Sequence, residues 1–147
     1  MIKFKKIPAN VIEKIPGLSE KLREEKSIIA LYLFGSSVKG QLKPLSDLDI
    51  AVLLDKKVPG DKFIEQYLKI SGIATDMLKV EEIDLIILNE APLRIVHNVL
   101  KTGNLLFCTD PVQLAGFIEN NYKRYQDFMF YKNQYNADFR KRIGLLQ

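Results

Sequence analysis

The 147-residue chain holds one cysteine, one histidine and no long apolar run, and each scarcity removes a class of protein. A lone Cys108 leaves no internal disulfide and no paired-cysteine metal site, which fits a reducing compartment. His97 has no second histidine and no nearby cysteine to share a metal, so it reads as a structural or surface residue beside Val96 and Val99. Nowhere do about 18 apolar residues follow one another, so no membrane-spanning helix is expected. The basic start, Met1-Ile2-Lys3-Phe4-Lys5-Lys6, leads into Ile7-Pro8-Ala9-Asn10 rather than into an apolar stretch with a small-residue cleavage site. No secretion signal and no membrane association are therefore expected, and the cytoplasm is the expected location. Internal repeats, low-complexity tracts and linkers are also missing.

What is present is ordinary globular material. Hydrophobic residues make up 47% and charged residues 27%, and the length suits one domain, 1–147, with a real core. The net charge of +4 favours a polyanionic ligand such as a nucleoside triphosphate or a nucleic acid, although a merely solvated basic surface gives the same figure.

Patterning predicts a compact α/β (α+β) domain. Val11, Ile12, Ile15, Leu18 and Leu22 fall at helical spacing, with Pro16-Gly17 expected to break or kink the segment. Residues 28–34 form a continuous apolar run ended by glycine, as in a strand buried on both faces, and Asp49 to Leu54 forms a second. Phe63, Ile64, Tyr67, Leu68 and Ile73 predict a helix over the sheet, with Asp61 near its cap. Ile83 to Leu88 is a third strand. Asn89-Glu90-Ala91-Pro92 opens a helix ending near Gly103, and Leu105 to Cys108 is a short fourth strand. Asp110-Pro111 predicts a capped helix start. From there Leu114, Phe117, Ile118, Tyr122, Tyr125, Phe128, Met129, Tyr135 and Phe139 make one aromatic-rich stripe. The stripe exceeds what a domain of this size needs for its core. The helix over 111–142 is therefore expected to form homo- or hetero-oligomeric partner contacts. Its basic residues also allow a nucleic-acid face, but the spacing of a single helical face favours packing, and nucleic acid is not expected as a direct ligand.

The chemistry concentrates in Gly35-Ser36, ten intervening residues, then Asp47-Leu48-Asp49. Alternation along a strand sends Asp47 and Asp49 to one side and Leu48 and Ile50 to the other. Asp84, set among Ile83, Leu85, Ile86 and Ile87, is expected to need a partner for its charge. Three carboxylates roughly 5 Å apart would repel by about 3 kcal/mol per pair at an effective dielectric of about 20. A divalent cation relieves this, and an all-oxygen set suits Mg²⁺, with two ions able to serve in-line phosphoryl transfer. Asp84 is also a candidate general base. Gly35 allows a tight backbone approach, Ser36 and Ser37 offer hydroxyls, and Lys39 and Lys43 offer charge to phosphate, although such lysines are as often plain solvated ones. Gly35 to Gly40 has Walker A spacing, but Gln41-Leu42 replaces the required Lys-Ser/Thr, so this is not a P-loop.

With Leu33-Phe34-Gly35-Ser36, Gly40, Ser46-Asp47-Leu48-Asp49-Ile50, Ile83-Asp84-Leu85, Leu88-Asn89-Glu90-Ala91-Pro92 and Gly103 in place, the chain resembles the minimal nucleotidyltransferase branch of the DNA polymerase β-like superfamily over roughly residues 25–110. The resemblance implies that Gly35 and Ser36 contact nucleotide phosphates, with Ser46 in the same binding set. It further implies that Asp47 and Asp49 bind metals and that Asp84 is the third carboxylate. It implies ATP as substrate and AMP transfer to a tyrosine of a HEPN-type ribonuclease toxin encoded by a neighbouring gene, so that the protein acts as antitoxin. Lys39 stands where many relatives have arginine, which loses the bidentate fork. Two other readings stay open: a catalytically silent antitoxin that neutralises by contact, and a small-molecule nucleotidyltransferase of the aminoglycoside-modifying kind.

Overall fold

The computed structural model describes residues 11–35, 48–80 and 83–144. Ser36, Ser37, Lys39, Lys43, Ser46 and Asp47 lie outside the described residues. Among those described, α1 (Val11–Arg23), β1 (Ile28–Phe34), β2 (Leu48–Leu54), α2 (Phe63–Leu78), β3 (Ile83–Ile87), α3 (Leu93–Thr102), β4 (Asn104–Cys108) and α4 (Pro111–Arg142) follow in order. The four strands form one mixed sheet in the order β3-β2-β1-β4. β1 is antiparallel to β2 and to β4, while β2 and β3 are parallel, joined by the crossover through α2.

Helices cover both faces, which is why the central strands read as unbroken apolar runs. On one face Leu48, Ile50, Val52 and Leu54 of β2 pack with Ile15, Leu18 and Leu22 of α1 and with Ile70, Ala74 and Leu78 of α2. On the other, Ala51 and Leu53 of β2 and Ile29, Ala30 and Tyr32 of β1 pack with Val96 and Val99 of α3 and Leu114 of α4. The expected α/β architecture with its long C-terminal helix is thus borne out.

Local details depart from expectation where tertiary packing overrides a propensity. Pro16 does not divide α1: the helix runs through it, and burial of Ile15, Leu18 and Leu22 offsets the one hydrogen bond that proline cannot donate. In α2, Phe63, Tyr67 and Ile73 of the expected stripe pack against the core, Ile64 and Leu68 are exposed, and Ile70, Ala74 and Leu78 are fully buried, the helix ending where Lys79 turns left-handed at φ 55°. Asp61 does lie near the start of α2, in a short 3₁₀ turn, Gly60–Lys62, next to the flanking residue Lys62, but no side chain caps the helix. Asn89 does not cap α3, whose flanking residue is Pro92. Its amide instead grips the end of β2, accepting from Leu54 N–H and donating to Leu54 C=O, both at 2.8 Å. The Asp110 carboxylate accepts from Gln113 N–H at 3.1 Å, with Pro111 in the first turn, as the sequence indicates.

Candidate active site

Strand parity and register build the site. In β2, Leu48 and Ile50 are buried on the α1–α2 face, so Asp49 between them projects to the α3–α4 face. In β3, Ile83 and Leu85 go to the α1–α2 core, and Asp84 projects the same way as Asp49. The parallel register sets Asp49 directly opposite Asp84, and neighbouring strands lie about 4.8 Å apart. Two carboxylates therefore stand side by side at the entry of both strands. Asp84 is exposed rather than sunk among its isoleucines, so the expected burial of its charge does not occur; register, not desolvation, puts it beside Asp49.

The same end of the sheet receives the exit of β1. Phe34 pairs with Asp49, and the next residue, Gly35, adopts φ +67°, a left-handed conformation that glycine accepts without steric cost. A Cβ built on Gly35 would overlap Asp49 Oδ2 and lie 3.2 Å from Cγ. The backbone at the turn thus lies against the carboxylate, and no side chain fits between them. Gly103, at the end of α3, serves close packing as well: a Cβ there would run into Val99 C=O and lie 3.3 Å from the Tyr32 ring.

Gly35, Asp49 and Asp84 are thus brought together. Among the described residues no group of three His, Cys, Asp or Glu side chains is positioned to hold a metal, and the third member of the proposed carboxylate set, Asp47, lies outside them. No helix of the described residues is long and apolar enough to cross a membrane. His97 stacks on Tyr125, ring centroids 3.5 Å apart and planes within 3°. That contact belongs to a groove of about 650 Å³ between α3 and α4, also lined by Leu100, Asn121, Tyr122 and Met129, which the sequence stripe indicated only in outline. A second hollow, near Ser27, Asp55 and Lys57, lies at the opposite end of β1 and β2 from the carboxylates.

A mixed four-stranded sheet thus sets paired strand-entry carboxylates beside a glycine turn. The chain belongs to the polymerase beta nucleotidyltransferase family, whose model matches residues 17–112. It is similar to a crystal structure of a toxin–antitoxin with AMP-PNP, at 25% identity and TM-score 0.65 over 87% of this chain and 97% of that one. A crystal structure of an MntA toxin–antitoxin mutant is also 25% identical, with TM-score 0.64 over 86% and 95% of the two chains. A complex of a tri-AMPylated Shewanella oneidensis HEPN toxin with its MNT antitoxin shares the fold, at 22% identity and TM-score 0.60 over 88% and 95%. No curated protein sequence matches the chain.

Proposed function

We propose that this nucleotidyltransferase transfers AMP from ATP to a tyrosine hydroxyl of a HEPN-type toxin and thereby acts as its antitoxin. The observation that carries the reading is the in-register pair Asp49 and Asp84 on one face of the sheet, with the Gly35 backbone against Asp49. The similarity to toxin–antitoxin structures, one with AMP-PNP and one with an AMPylated toxin, supports the substrate and the acceptor.

The donor set fits Mg²⁺: the groups that the parallel register sets side by side are carboxylates, the hard oxygen ligands this ion takes. Asp49 and Asp84, with Asp47 from the same motif, would hold it, and the ion when bound supplies positive charge to the triphosphate. The chain's own residues do the rest. Backbone N–H groups at Gly35 and the Ser36 hydroxyl bind phosphate oxygens, with Ser37, Ser46 and Lys39 assigned by sequence to the same binding set. Asp84 accepts the proton of the acceptor hydroxyl, whose oxygen bonds to the α-phosphorus as the bond to pyrophosphate breaks.

Incubating the protein with labelled ATP, Mg²⁺ and the HEPN-type protein encoded beside it should label that protein. Asp47→Asn with Asp49→Asn should abolish the label. Labelling that persists in the double variant overturns the assignment.

A further inference from the structure

The course of α4 relative to the carboxylates carries a second conclusion. β4 runs antiparallel to β1, with Asn104 opposite Leu33 and Cys108 opposite Ala30, so the chain enters α4 at the end of the sheet remote from Gly35. Leu114 is buried against the cluster of Ile29 and Ala30, whereas Tyr125 and Met129 face His97 and Leu100, towards the last turn of α3 and Gly103 beside Leu33. The helix therefore advances towards the Gly35–Asp49–Asp84 end. Beyond Met129 it continues for about 20 Å, from Phe130 to Arg142, at about 1.5 Å per residue.

One helical face changes its role along this length. Leu114, Phe117, Asn121 and Tyr125 cover the sheet and α3, and the same face continues as Phe128, Tyr135 and Phe139, which are 39%, 67% and 49% exposed. At the junction sits Asn121, only 5% exposed, whose Oδ1 has no hydrogen-bond partner among the described residues. Such a group is unusual in a folded interior and marks where a donor is expected. Charge selects the occupant. From residue 123 to 142 the helix carries Lys123, Arg124, Lys132, Arg140, Lys141 and Arg142 against Asp127 and Asp138. Two copies laid together would set like charges against each other, whereas a chain with acidic flanks would not.

We propose that this face and the adjoining α3–α4 groove dock an amphipathic, acid-flanked helix of the protein that carries the acceptor hydroxyl, presenting it at the carboxylate end of the sheet. The proposal rests on the transfer reading above for the identity of that protein. It treats Phe128, Tyr135 and Phe139 as positioning residues remote from the reacting atoms.

The test measures binding of the neighbouring HEPN-type protein to the full chain, alongside ATP binding as a check on the fold. Phe128→Ala, Tyr135→Ala and Phe139→Ala together should weaken the complex at least about thirtyfold, the effect of losing one strong interface anchor, with ATP binding unchanged. Lys132→Glu with Lys141→Glu should weaken it as well and flatten its salt dependence. AMP labelling by the triple variant should need more acceptor protein but reach the wild-type rate at saturation. Wild-type affinity in the triple variant, no binding by the wild type, or a self-associated wild type that the triple variant dissociates would each overturn the docking proposal. A complex that forms normally yet is never labelled overturns the transfer reading and leaves docking standing.

Discussion

The two faces of one sheet are built from alternate residues of the same strands and serve different ends. Towards α1 and α2, β2 and β3 present Leu48, Ile50, Val52, Leu54, Ile83, Leu85 and Ile87, an uninterrupted apolar layer. Towards α3 and α4, the same strands open with Asp49 and Asp84 and become apolar only further in, at Ala51, Leu53 and Ile86. Period-two alternation lets a strand hold a core with one set of side chains while the other set places charge at its entry. The carboxylate pair is thus mounted on backbone whose register is held from behind by the apolar layer.

The sharpest way to break the comparison is to substitute neighbours on opposite faces. Ile50→Ala should cost ~2–5 kcal/mol of stability, as for other large-to-alanine changes in cores, while the surviving folded molecules keep their transfer rate. Asp49→Asn should do the reverse. Its effect on stability should stay under ~1 kcal/mol, the scale of a half-exposed carboxylate's pair interactions. Its transfer rate should fall at least ~100-fold, since removing a candidate metal ligand should cost no less than removing the groups that merely support one. Chemical denaturation and a labelled-ATP assay on both variants measure this. Equal stability losses would mean that the two faces are not functionally separate.

Gly35→Ala tests the junction of backbone and site. The left-handed conformation costs an L-residue ~1–2 kcal/mol, and the new methyl group would meet the Asp49 carboxylate. A fall in transfer larger than the stability loss explains is expected, because relief of the clash must move Asp49. Unchanged transfer with lowered stability would reduce Gly35 to a turn residue.

The strands were legible because burial on both faces writes a continuous apolar run into the chain, and the β1 bounds agree at both ends. The long helix was legible from its cap at Asp110 and its stripe. What the spacing of residues 47–49 and 84 does not contain is strand order: Asp49 and Asp84 become neighbours only because the crossover through α2 lays β3 parallel to β2 in that register. The same dependence on packing hid the role of Asn89. The sequence places it at the opening of a helix, whereas its side-chain amide pairs with the backbone of β2. In α2 the apolar pattern holds at Phe63, Tyr67 and Ile73, which pack on the core, but not at Ile64 and Leu68, and only the placement of the helix on the sheet selects Ile70, Ala74 and Leu78 for full burial. Pro16 does not break α1, because the buried face of the helix continues through it.

The α3–α4 face differs from its opposite in a subtler way, since it buries a titratable group. Tyr32 is 4% exposed, and its phenol is pushed above the ordinary 10.0, chiefly by burial and in smaller part by the charge of the neighbouring Cys108. Burial disfavours the phenolate, so the folded protein keeps this proton at a pH where the unfolded chain releases it. The associated stability is fully present below pH 10 and is lost as the pH rises from there through the folded value. Tyr32→Phe removes this dependence and leaves the ring. Unfolding free energies at a series of pH values from neutral into the alkaline range should decline less steeply for the variant than for the wild type, with the two differing little at neutral pH. Parallel declines would assign the alkaline loss to other groups, and would leave the α3–α4 face distinguished from the α1–α2 face by its carboxylates alone.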